Sequence, residues 1–558
     1  MSHSHSSPEE ELPIVAHVLV VAFHHQLGPI VEFAQPPLPC YPEDEEMHTE
    51  AGFPKVPKEW VFLPFLALPD GAHQSEQQIC YFHLPPLRRN TEYPFLNMTL
   101  FGISCFRQIE ASKVKNRTAD ITRATVQKAV VVITRQAVVG SVRDQLTAVT
   151  AAYFNQGDFT QKEIIVQFYE SLSAKFHTGV SSSALYLGIS LQELVRKFKS
   201  KTLVLFKLLL LEKRVMFYGH PVESLCAFQY ALVSLIPGLL GHLQDCGSAD
   251  RVATSKKRAF HDFSDERQVF FEKMALPLDI FNEGSFFQPY FPLQQLDIIE
   301  TDETRSFLIG TSNAVLKMLH RNVIDVVVDI EKGSISFNDQ DIAEMVELTS
   351  SDKRFMDEII QSVNHTYDKN APEYEGSDEY IRGKFENYLL AFLSSVYYAE
   401  MGDEHGSFEL VSVTDGTEKI QIKEFNESWV NHWIDTRNYE IWKSQMVPEY
   451  ISIIEPRHPG QGGSAINDMQ RKISNSLSDL HLDFTGTIAK AVSSGSGRFS
   501  KAVEGLYDRH SSASGSETSS MREETETLDS QFSFSTLGSL FNKKDASEKS
   551  QETTEERK

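Results

Sequence analysis

The first 110 residues contain short apolar runs that predict β-strands. Residues 14–23 (IVAHVLVVAF) are almost wholly apolar and rich in β-branched side chains, and the pair Gly28-Pro29 separates them from a second apolar run at 30–33. This pattern predicts a β-hairpin. A loop with six prolines follows at 36–57 and is too polar for a regular element. Further strands are predicted at 61–68, 79–84 and 99–109.

Strand and helix patterns alternate after residue 120. Residues 128–134 (KAVVVIT) predict a strand, whereas apolar side chains at helical spacing predict helices at 142–154 and 162–176. A Gly/Ser patch at 179–183 marks a linker or an exposed loop. This alternation predicts an α/β unit in the middle of the chain. Beyond the patch we expect helices at 191–211 and 225–236 and strands at 214–218, 307–310 and 323–329.

One uncharged run tests whether the chain crosses a membrane. Residues 224–244 contain no charged side chain, a length that suffices for a transmembrane helix. Pro237 would break such a helix, and polar residues such as Gln229 would lie at membrane depth. We therefore predict a buried helix at 225–236 and not a span.

The last part of the chain divides into a helical unit and a polar tail. A mainly helical unit is expected to end near Pro448. From Arg457 onward there is no tryptophan, and 20 of 102 residues are serine. A segment of this composition cannot bury a core, so we expect a largely disordered tail. The helices are predicted at 334–347, 353–365, 381–401 and 423–434.

Charge and cysteine content narrow the class of protein. The chain has 77 acidic and 53 basic residues, for a net charge of −24, which argues against a nucleic-acid partner. Residues 1–50 carry nine acidic residues and no lysine or arginine. The five cysteines stand singly, as is typical of a reducing compartment, and the N-terminus lacks the basic region of a signal peptide. We expect a cytoplasmic protein.

Few residues suggest site chemistry. The sequence has no nucleotide-binding loop, nucleophile elbow or zinc-binding motif, so we predict no catalytic, cofactor-binding or metal-binding residue and no cofactor. His24 and His25 fit a strand end or turn better than a metal site, because no further ligand lies at metal-binding spacing. The turn at 310–313 (GTSN) fits a helix cap, with Ser312 or Asn313 as the capping residue, better than a phosphate-binding nest.

Several N-terminal segments carry a family resemblance. They are 23–28 (FHHQLG), 32–33, 60–73 (WVFLPFLALPDGAH), 81–86 (YFHLPP), 100–109 (LFGISCFRQI) and 119–132, with weaker similarity at 211–219 and 307–313. On these segments the chain resembles the Avl family of late-secretory-pathway proteins, members of the DENN-domain group, over residues 10–450. The motif residues are Phe23, His24, His25, Gly28, Pro64, Pro69, Asp70, Gly71, Phe82, Pro85 and Pro86.

The matched motifs also have a structural interpretation. The residues from Pro64 to Gly71 indicate the end of a strand and a turn. Gly71 would permit a positive φ, and Asp70 would bond to local backbone. For the motif residues as a group, maintenance of the fold is favoured over direct contact with a partner.

The resemblance implies a multidomain α/β and α+β architecture. A longin-like upstream DENN module, a central α/β DENN module and a helical downstream DENN module would follow one another, ahead of a disordered C-terminal tail. The boundaries that we expect are 1–12 for a disordered N-terminus, 13–178, 179–332 and 333–456 for the three modules, 457–507 for an amphipathic helical segment and 508–558 for a disordered Ser/Glu-rich tail.

The resemblance also implies a role in vesicle traffic. The Avl branch is associated with exocytic transport from the late Golgi, with recycling endosomes and with cell migration. Many DENN proteins promote nucleotide exchange on Rab GTPases, and exchange requires an interface and not bond-making chemistry. A guanine-nucleotide exchange factor for a Rab-type GTPase is therefore one expectation. The alternative is a non-catalytic effector or scaffold that recruits a GTPase, and the sequence leaves both open.

Two tail segments carry patterns of their own. Apolar residues recur at steps of three or four from 466 to 488, which predicts an amphipathic helix. Between 486 and 503 bases occur without acids, so this segment is either a peripheral contact with an anionic membrane or a helix docked on protein. A second apolar island at 532–541 is a docking motif or a chance cluster. The candidate membrane contacts are Lys490, Val492, Arg498, Phe499, Lys501 and Val503, and the candidate docking residues are Phe534, Leu537 and Phe541.

Overall fold

The computed structural model describes residues 12–39, 49, 51–88, 93–116, 123–177, 179–250, 266–319, 322–369, 373–405, 410–412, 416–418 and 422–461. All of these residues belong to one compact unit. The predicted membrane-contact and docking residues of the tail lie outside the described residues. The structure has two five-stranded sheets and a helical C-terminal part, which confirms the predicted mixed α/β class.

The first sheet is antiparallel throughout and has the strand order β2-β1-β5-β4-β3. The predicted hairpin is confirmed, with Phe23 opposite Pro29 across its turn. The predicted strands at 79–84, 99–109 and 128–134 and the helices at 142–154 and 162–176 are also confirmed. The elements are β1 (Val15–His24), β2 (Gly28–Gln35), α1 (Leu63–Ala67), β3 (Gln77–Leu84), β4 (Leu100–Glu110), β5 (Thr125–Thr134), α2 (Val139–Asn155) and α3 (Glu163–Lys175).

The strand predicted at 61–68 is wrong, because this segment contains helix α1. Pro64 lies in the first turn of α1, where a missing backbone N–H costs nothing. Leu63, Leu66 and Ala67 are all buried, and because the helix is buried on several sides, almost every position in the run is apolar. Periodicity cannot separate a short buried strand from a short buried helix in such a run.

The second sheet has the order β10-β9-β6-β8-β7, and only its edge strand β10 runs antiparallel to its neighbour. Its parallel strands alternate with helices, as predicted for the middle of the chain. The uncharged run at 224–244 begins within buried helix α6, and no helix of the described ranges is long and apolar enough to cross a bilayer. The elements are α4 (Leu191–Phe198), α5 (Lys201–Leu210), β6 (Arg214–Tyr218), α6 (Val222–Val233), α7 (Glu266–Lys273), β7 (Ser285–Gln288), α8 (Leu296–Glu300), β8 (Ser306–Thr311), α9 (Ala314–Leu319), β9 (Val326–Asp329) and β10 (Ser334–Phe337).

Two helix predictions in this region need correction. The helix expected at 191–211 is broken into α4 and α5, because Lys199 adopts φ 53°. The helix expected at 334–347 begins with strand β10, and helix α10 follows only at Gln340. Gly333, with φ 62°, makes the tight turn between β9 and β10. The alternation Ser-Ile-Ser-Phe from residue 334 is a strand pattern that the helical interpretation overlooked.

The C-terminal part is built from helices around an aromatic core. The ring of Phe392 lies 4.3 Å from that of Trp429 and 4.7 Å from that of Trp433. The described chain continues past Arg457, where the amino-acid composition changes, as far as residue 461. This end of the described chain contacts α11, because the backbone carbonyl of Gly460 accepts from Arg354 Nε at 2.8 Å. The elements are α10 (Gln340–Met345), α11 (Ser350–Lys369), α12 (Asp378–His405), β11 (Leu410–Ser412), β12 (Gly416–Glu418), α13 (Glu427–Ile434), α14 (Arg437–Gln445) and α15 (Pro448–Ile451).

Candidate partner-binding surface at the junction of the two sheets

The two sheets meet where edge strand β3 lies beside edge strand β7. The side-chain amide of Gln288 bonds to both backbone groups of His83: its Oε1 accepts the N–H at 2.6 Å, and its Nε2 donates to the carbonyl at 2.9 Å. The His83 ring is also fully bonded, through Nδ1 to the carbonyl of Phe287 at 2.6 Å and through Nε2 to the hydroxyl of Tyr230 at 2.8 Å. A buried network in which each of these polar groups has a hydrogen-bond partner holds the two sheets rigidly together.

The protonation state of His83 follows from these partners. Because Nδ1 faces a carbonyl oxygen, it carries the proton, and Nε2 accepts from Tyr230. Burial lowers the pKa of His83 to about 3, so the ring is neutral. A neutral imidazole with both nitrogens bonded is a structural group of the junction and has no lone pair left for catalysis or for a metal ion.

The outer rim of the junction is organised by Asp70. Its backbone N–H donates to the hydroxyl of Tyr290 at 2.7 Å, and its backbone carbonyl accepts from Ser312 Oγ at 3.2 Å. Its carboxylate accepts from Asn313 Nδ2 at 2.9 Å. The expectation that Asp70 bonds to local backbone is therefore wrong: its partners lie 220 to 243 residues away in sequence and belong to the second sheet and its connections.

Gly71 completes this turn with a left-handed backbone. Its φ is 78°, a conformation that favours glycine. A Cβ at Gly71 would lie 3.8 Å from the ring of His220, which is an exposed residue of the loop after β6. The turn therefore places residues of both sheets side by side at the surface.

Helix α9 starts at this rim and is held at both ends. Asn313 Oδ1 accepts from the backbone N–H of Val315 at 2.9 Å, which confirms the predicted helix cap. Near the other end, Lys317 lies 4.3 Å from the centre of the Tyr218 ring and 3.3 Å from a carboxylate oxygen of Asp329. The same amide that caps the helix also bonds to Asp70, so α9 is anchored to the first sheet.

The outer face of α9 is apolar. Val315 is 37% exposed and Met318 is 69% exposed, whereas Leu316 between them is fully buried in the core. Val315 and Met318 are three residues apart and therefore share one face of the helix. Contiguous exposed apolar surface marks contact sites, so this pair on one anchored helix makes α9 the candidate contact surface. We call Asp70, Gly71, His220, Asn313, Val315 and Met318 the junction surface.

The remaining motif residues support the fold around this surface or lie away from it. His24 Nδ1 accepts from the backbone N–H groups of Gln26 and Leu27 at 3.3 and 3.2 Å, which is the predicted turn role. That hairpin is separated from β3 by strands β5 and β4. Nearer the junction, Pro64 lies in the first turn of α1, and Pro69 directly precedes Asp70. Phe82 is buried beside Gly102. The backbone carbonyl of Pro85, the residue before Pro86, accepts from the indole N–H of Trp60.

Three features of the site were not predicted from the sequence. Tyr290, Gln288 and the exposed pair on α9 belong to no recognised motif, and their role depends on contacts between distant segments. The capped turn at 310–313 was the one local signal for α9. Among the described residues, no group of histidine, cysteine, aspartate and glutamate side chains is arranged to hold a metal ion.

Known proteins are similar in sequence to this chain over most of the elements described above. The sequence model of the family described as "Transport protein Avl9" matches residues 15–396, from β1 into α12. The "Late secretory pathway protein avl9" of Schizosaccharomyces pombe is 36% identical over 442 residues, which cover 79% of this chain and 88% of that protein. The "Late secretory pathway protein AVL9" of Saccharomyces cerevisiae is 33% identical over 500 residues, which cover 85% of this chain and 64% of that protein. As the N-terminal motifs predicted, the chain belongs to the Avl9 transport-protein family.

Proposed function

We propose that this protein acts in the late secretory pathway by binding a small GTPase of the Rab type on its junction surface. Two family members that it resembles are named for the late secretory pathway. The resemblance to the DENN group supports the choice of partner, and it is also the basis for the finer parts of the proposal: nucleotide exchange, action at late-Golgi or recycling-endosome membranes, and a role in cell migration.

The observation that carries the proposal is the anchored helix α9. A partner that covers Val315 and Met318 removes exposed apolar surface from water, and full burial of one such side chain is worth about 1.5–3 kcal/mol. Because α9 is tied down through Asn313 and Lys317, little conformational freedom is lost when the partner binds. Apolar anchors on a rigid support are the usual core of a protein–protein interface.

Exchange requires only that this surface discriminate between states of the GTPase. A protein that binds the nucleotide-free GTPase more tightly than the loaded one lowers nucleotide affinity by the same factor. A rigid surface serves this purpose, because it fits one arrangement of a mobile partner better than another. No bond is made or broken, so no catalytic side chain is needed on the exchange factor.

Release of labelled GDP from a panel of purified Rab GTPases tests this proposal with the full-length chain. We expect the chain to accelerate release from at least one Rab, and Met318→Asp to weaken that effect by about tenfold or more, equivalent to about 1.4 kcal/mol of binding free energy. Leu27→Asp is the matched control, since Leu27 is 53% exposed at the tip of the distant β1–β2 hairpin.

The same panel separates exchange from the effector alternative. Tight binding to a GTP-loaded Rab without faster release, lost in Met318→Asp, would identify an effector or scaffold that uses the junction surface. If no Rab in either nucleotide state binds, or if Met318→Asp behaves like the unchanged chain, the junction surface does not bind a GTPase.

A further inference from the structure

Basic side chains from two distant segments meet where the α4–α5 corner touches the β9–β10 hairpin. Lys197 Nζ donates to the backbone carbonyl of Glu331 at 2.8 Å, and Lys201 Nζ donates to that of Gly333 at 3.1 Å. These bonds hold the hairpin turn, with Lys332 at its tip, against the corner. We call Arg196, Lys197, Lys199, Lys201 and Lys332 the basic corner.

The basic corner is a locally positive region on a strongly acidic protein, whose net charge is −24. The Lys332 side chain is 76% exposed, and Lys199 and Lys201 are exposed as well. Lys197 and Lys201 donate to neutral carbonyl oxygens, so these bonds leave their charge uncompensated. A local positive surface attracts anionic partners even when the whole molecule repels them.

The nearby acidic groups compensate only part of this charge. Asp329 is shared between Lys317 at 3.3 Å and Lys332 at 3.9 Å. The carboxylate of Glu331 accepts from the backbone N–H of His220 at 3.0 Å. Glu193 lies in the first turn of α4. With Lys317 included, the described residues named at this corner are six bases and three acids.

The backbone at Lys199 gives a second, independent indication. Lys199 has φ 53° and ψ −131°, a conformation that only glycine adopts without steric cost. Stability would therefore favour glycine at this corner, but the chain has a lysine whose side chain is exposed. The exposed lysine therefore adds its charge to the corner at a position where the backbone is strained.

An aromatic side chain borders the bases. The guanidinium carbon of Arg196 lies 3.3 Å from the centre of the Tyr367 ring, and Tyr367 is 54% exposed. Tyrosine rings are amphipathic and are enriched where an apolar region meets water, as at the surface of a bilayer. Arg196 and Tyr367 therefore extend the basic corner with a group suited to the level of lipid headgroups.

We propose that the basic corner binds the surface of an anionic lipid bilayer. A bilayer offers many headgroups in no particular register, which suits long basic side chains spread over two segments. A bound peptide, in contrast, is recognised through a strand edge or through pockets for its side chains. Each Lys or Arg near an anionic bilayer adds about fivefold to binding, so five bases are enough for salt-dependent attachment.

Flotation of the full-length chain with lipid vesicles tests the proposal. We expect binding to vesicles of phosphatidylcholine with phosphatidylserine, weaker binding at high salt, and none to phosphatidylcholine alone. Lys199→Gly with Lys332→Gln should lower partition by about thirtyfold at low salt. Lys58→Gln with Lys353→Gln changes net charge equally at exposed sites outside the basic corner and should have little effect.

Three further variants and probes make the outcome decisive. If Phe499→Asp with Val503→Asp abolishes flotation while the basic-corner variant still binds fully, the tail and not the basic corner contacts the bilayer, and the proposal is overturned. It is also overturned if the basic-corner variant loses binding to soluble poly-glutamate but not to vesicles. Met318→Asp should leave flotation unchanged, so failure of the GTPase proposal and failure of this one are distinguishable.

Discussion

Helix α5 carries two lysines that the protein uses in opposite ways. Lys201, at its first position, is exposed and belongs to the basic corner. Lys207, less than two turns later, is fully buried and ion-paired with Asp352, which is also fully buried. An exposed ion contributes little to stability and remains available to partners, whereas a buried ion must be paired or the fold fails. Burial, and not residue type, decides which role a lysine has.

The buried pair is completed by several hydrogen bonds. His458 Nδ1 accepts from the backbone N–H of Gly460 at 2.9 Å, so its Nε2 carries a proton and donates to Asp352 at 3.0 Å. Lys207 also donates to the backbone carbonyl of Phe425 at 3.1 Å. The partners of the Asp352 carboxylate are Lys207 Nζ at 2.5 Å, Tyr388 Oη at 2.8 Å, the backbone N–H of Thr349 at 3.0 Å and His458 Nε2.

The largest effect should come from breaking the buried pair. Asp352→Ala leaves Lys207 buried without its counter-ion, and we expect it to lower the free energy of unfolding by about 3–5 kcal/mol. Urea unfolding of the full-length chain measures this. The control, Lys201→Met on the same helix, removes an exposed lysine and its one bond to the Gly333 carbonyl, and should change stability by no more than about 1 kcal/mol. Equal effects of the two variants would contradict the comparison.

The Asp352 carboxylate should make the free energy of unfolding depend on pH in the acid range. Burial alone would raise the pKa of Asp352, but the hydrogen bond from His458 and the charge of Lys207 outweigh it and lower the pKa to about 2, from an ordinary value of 3.8. The unfolded chain therefore binds more protons than the folded one between these values. Stability from this group should be complete above about pH 4 and lost as the pH falls toward 2, a change of about 2–3 kcal/mol.

Urea unfolding at a series of pH values between neutrality and acid measures this loss. Asp352→Asn is the matched variant, because it keeps the shape of the side chain and cannot titrate. We expect its lower stability to be nearly independent of pH in the window where the unchanged chain weakens. An unchanged slope in Asp352→Asn would assign the acid sensitivity to other carboxylates.

Local patterns were enough to predict much of the fold. The hairpin of β1 and β2 and the alternation around β6 and β8 follow from runs of apolar residues and from turn pairs such as Gly28-Pro29. Prediction was wrong where two patterns competed, as in the buried run that forms α1 and in the short strand β10. Packing against the rest of the molecule decided the case of α1, and a short stretch of sequence does not contain that information. For β10 the strand alternation was present in the local sequence and was overlooked.

The candidate site depends even more on distant contacts. The motif around Asp70 was visible in the sequence, but its partner Asn313 lies 243 residues away. The single helix predicted at 191–211 gave no indication that Lys207 faces inward and Lys201 outward. The family resemblance was stronger evidence than any local pattern, because it compared many such positions at once.

The smallest effect should come from the strained lysine of the basic corner. In Lys199→Gly the positive φ no longer carries a steric cost, and we expect the free energy of unfolding to rise by about 1 kcal/mol, while vesicle binding falls. Lys199→Ala is the matched control, because it removes the charge but keeps the strain. It should lose vesicle binding equally without gaining stability. If Lys199 were needed for packing, both variants would have a lower free energy of unfolding. A higher free energy of unfolding together with weaker vesicle binding in Lys199→Gly would show that the lysine costs stability and contributes charge.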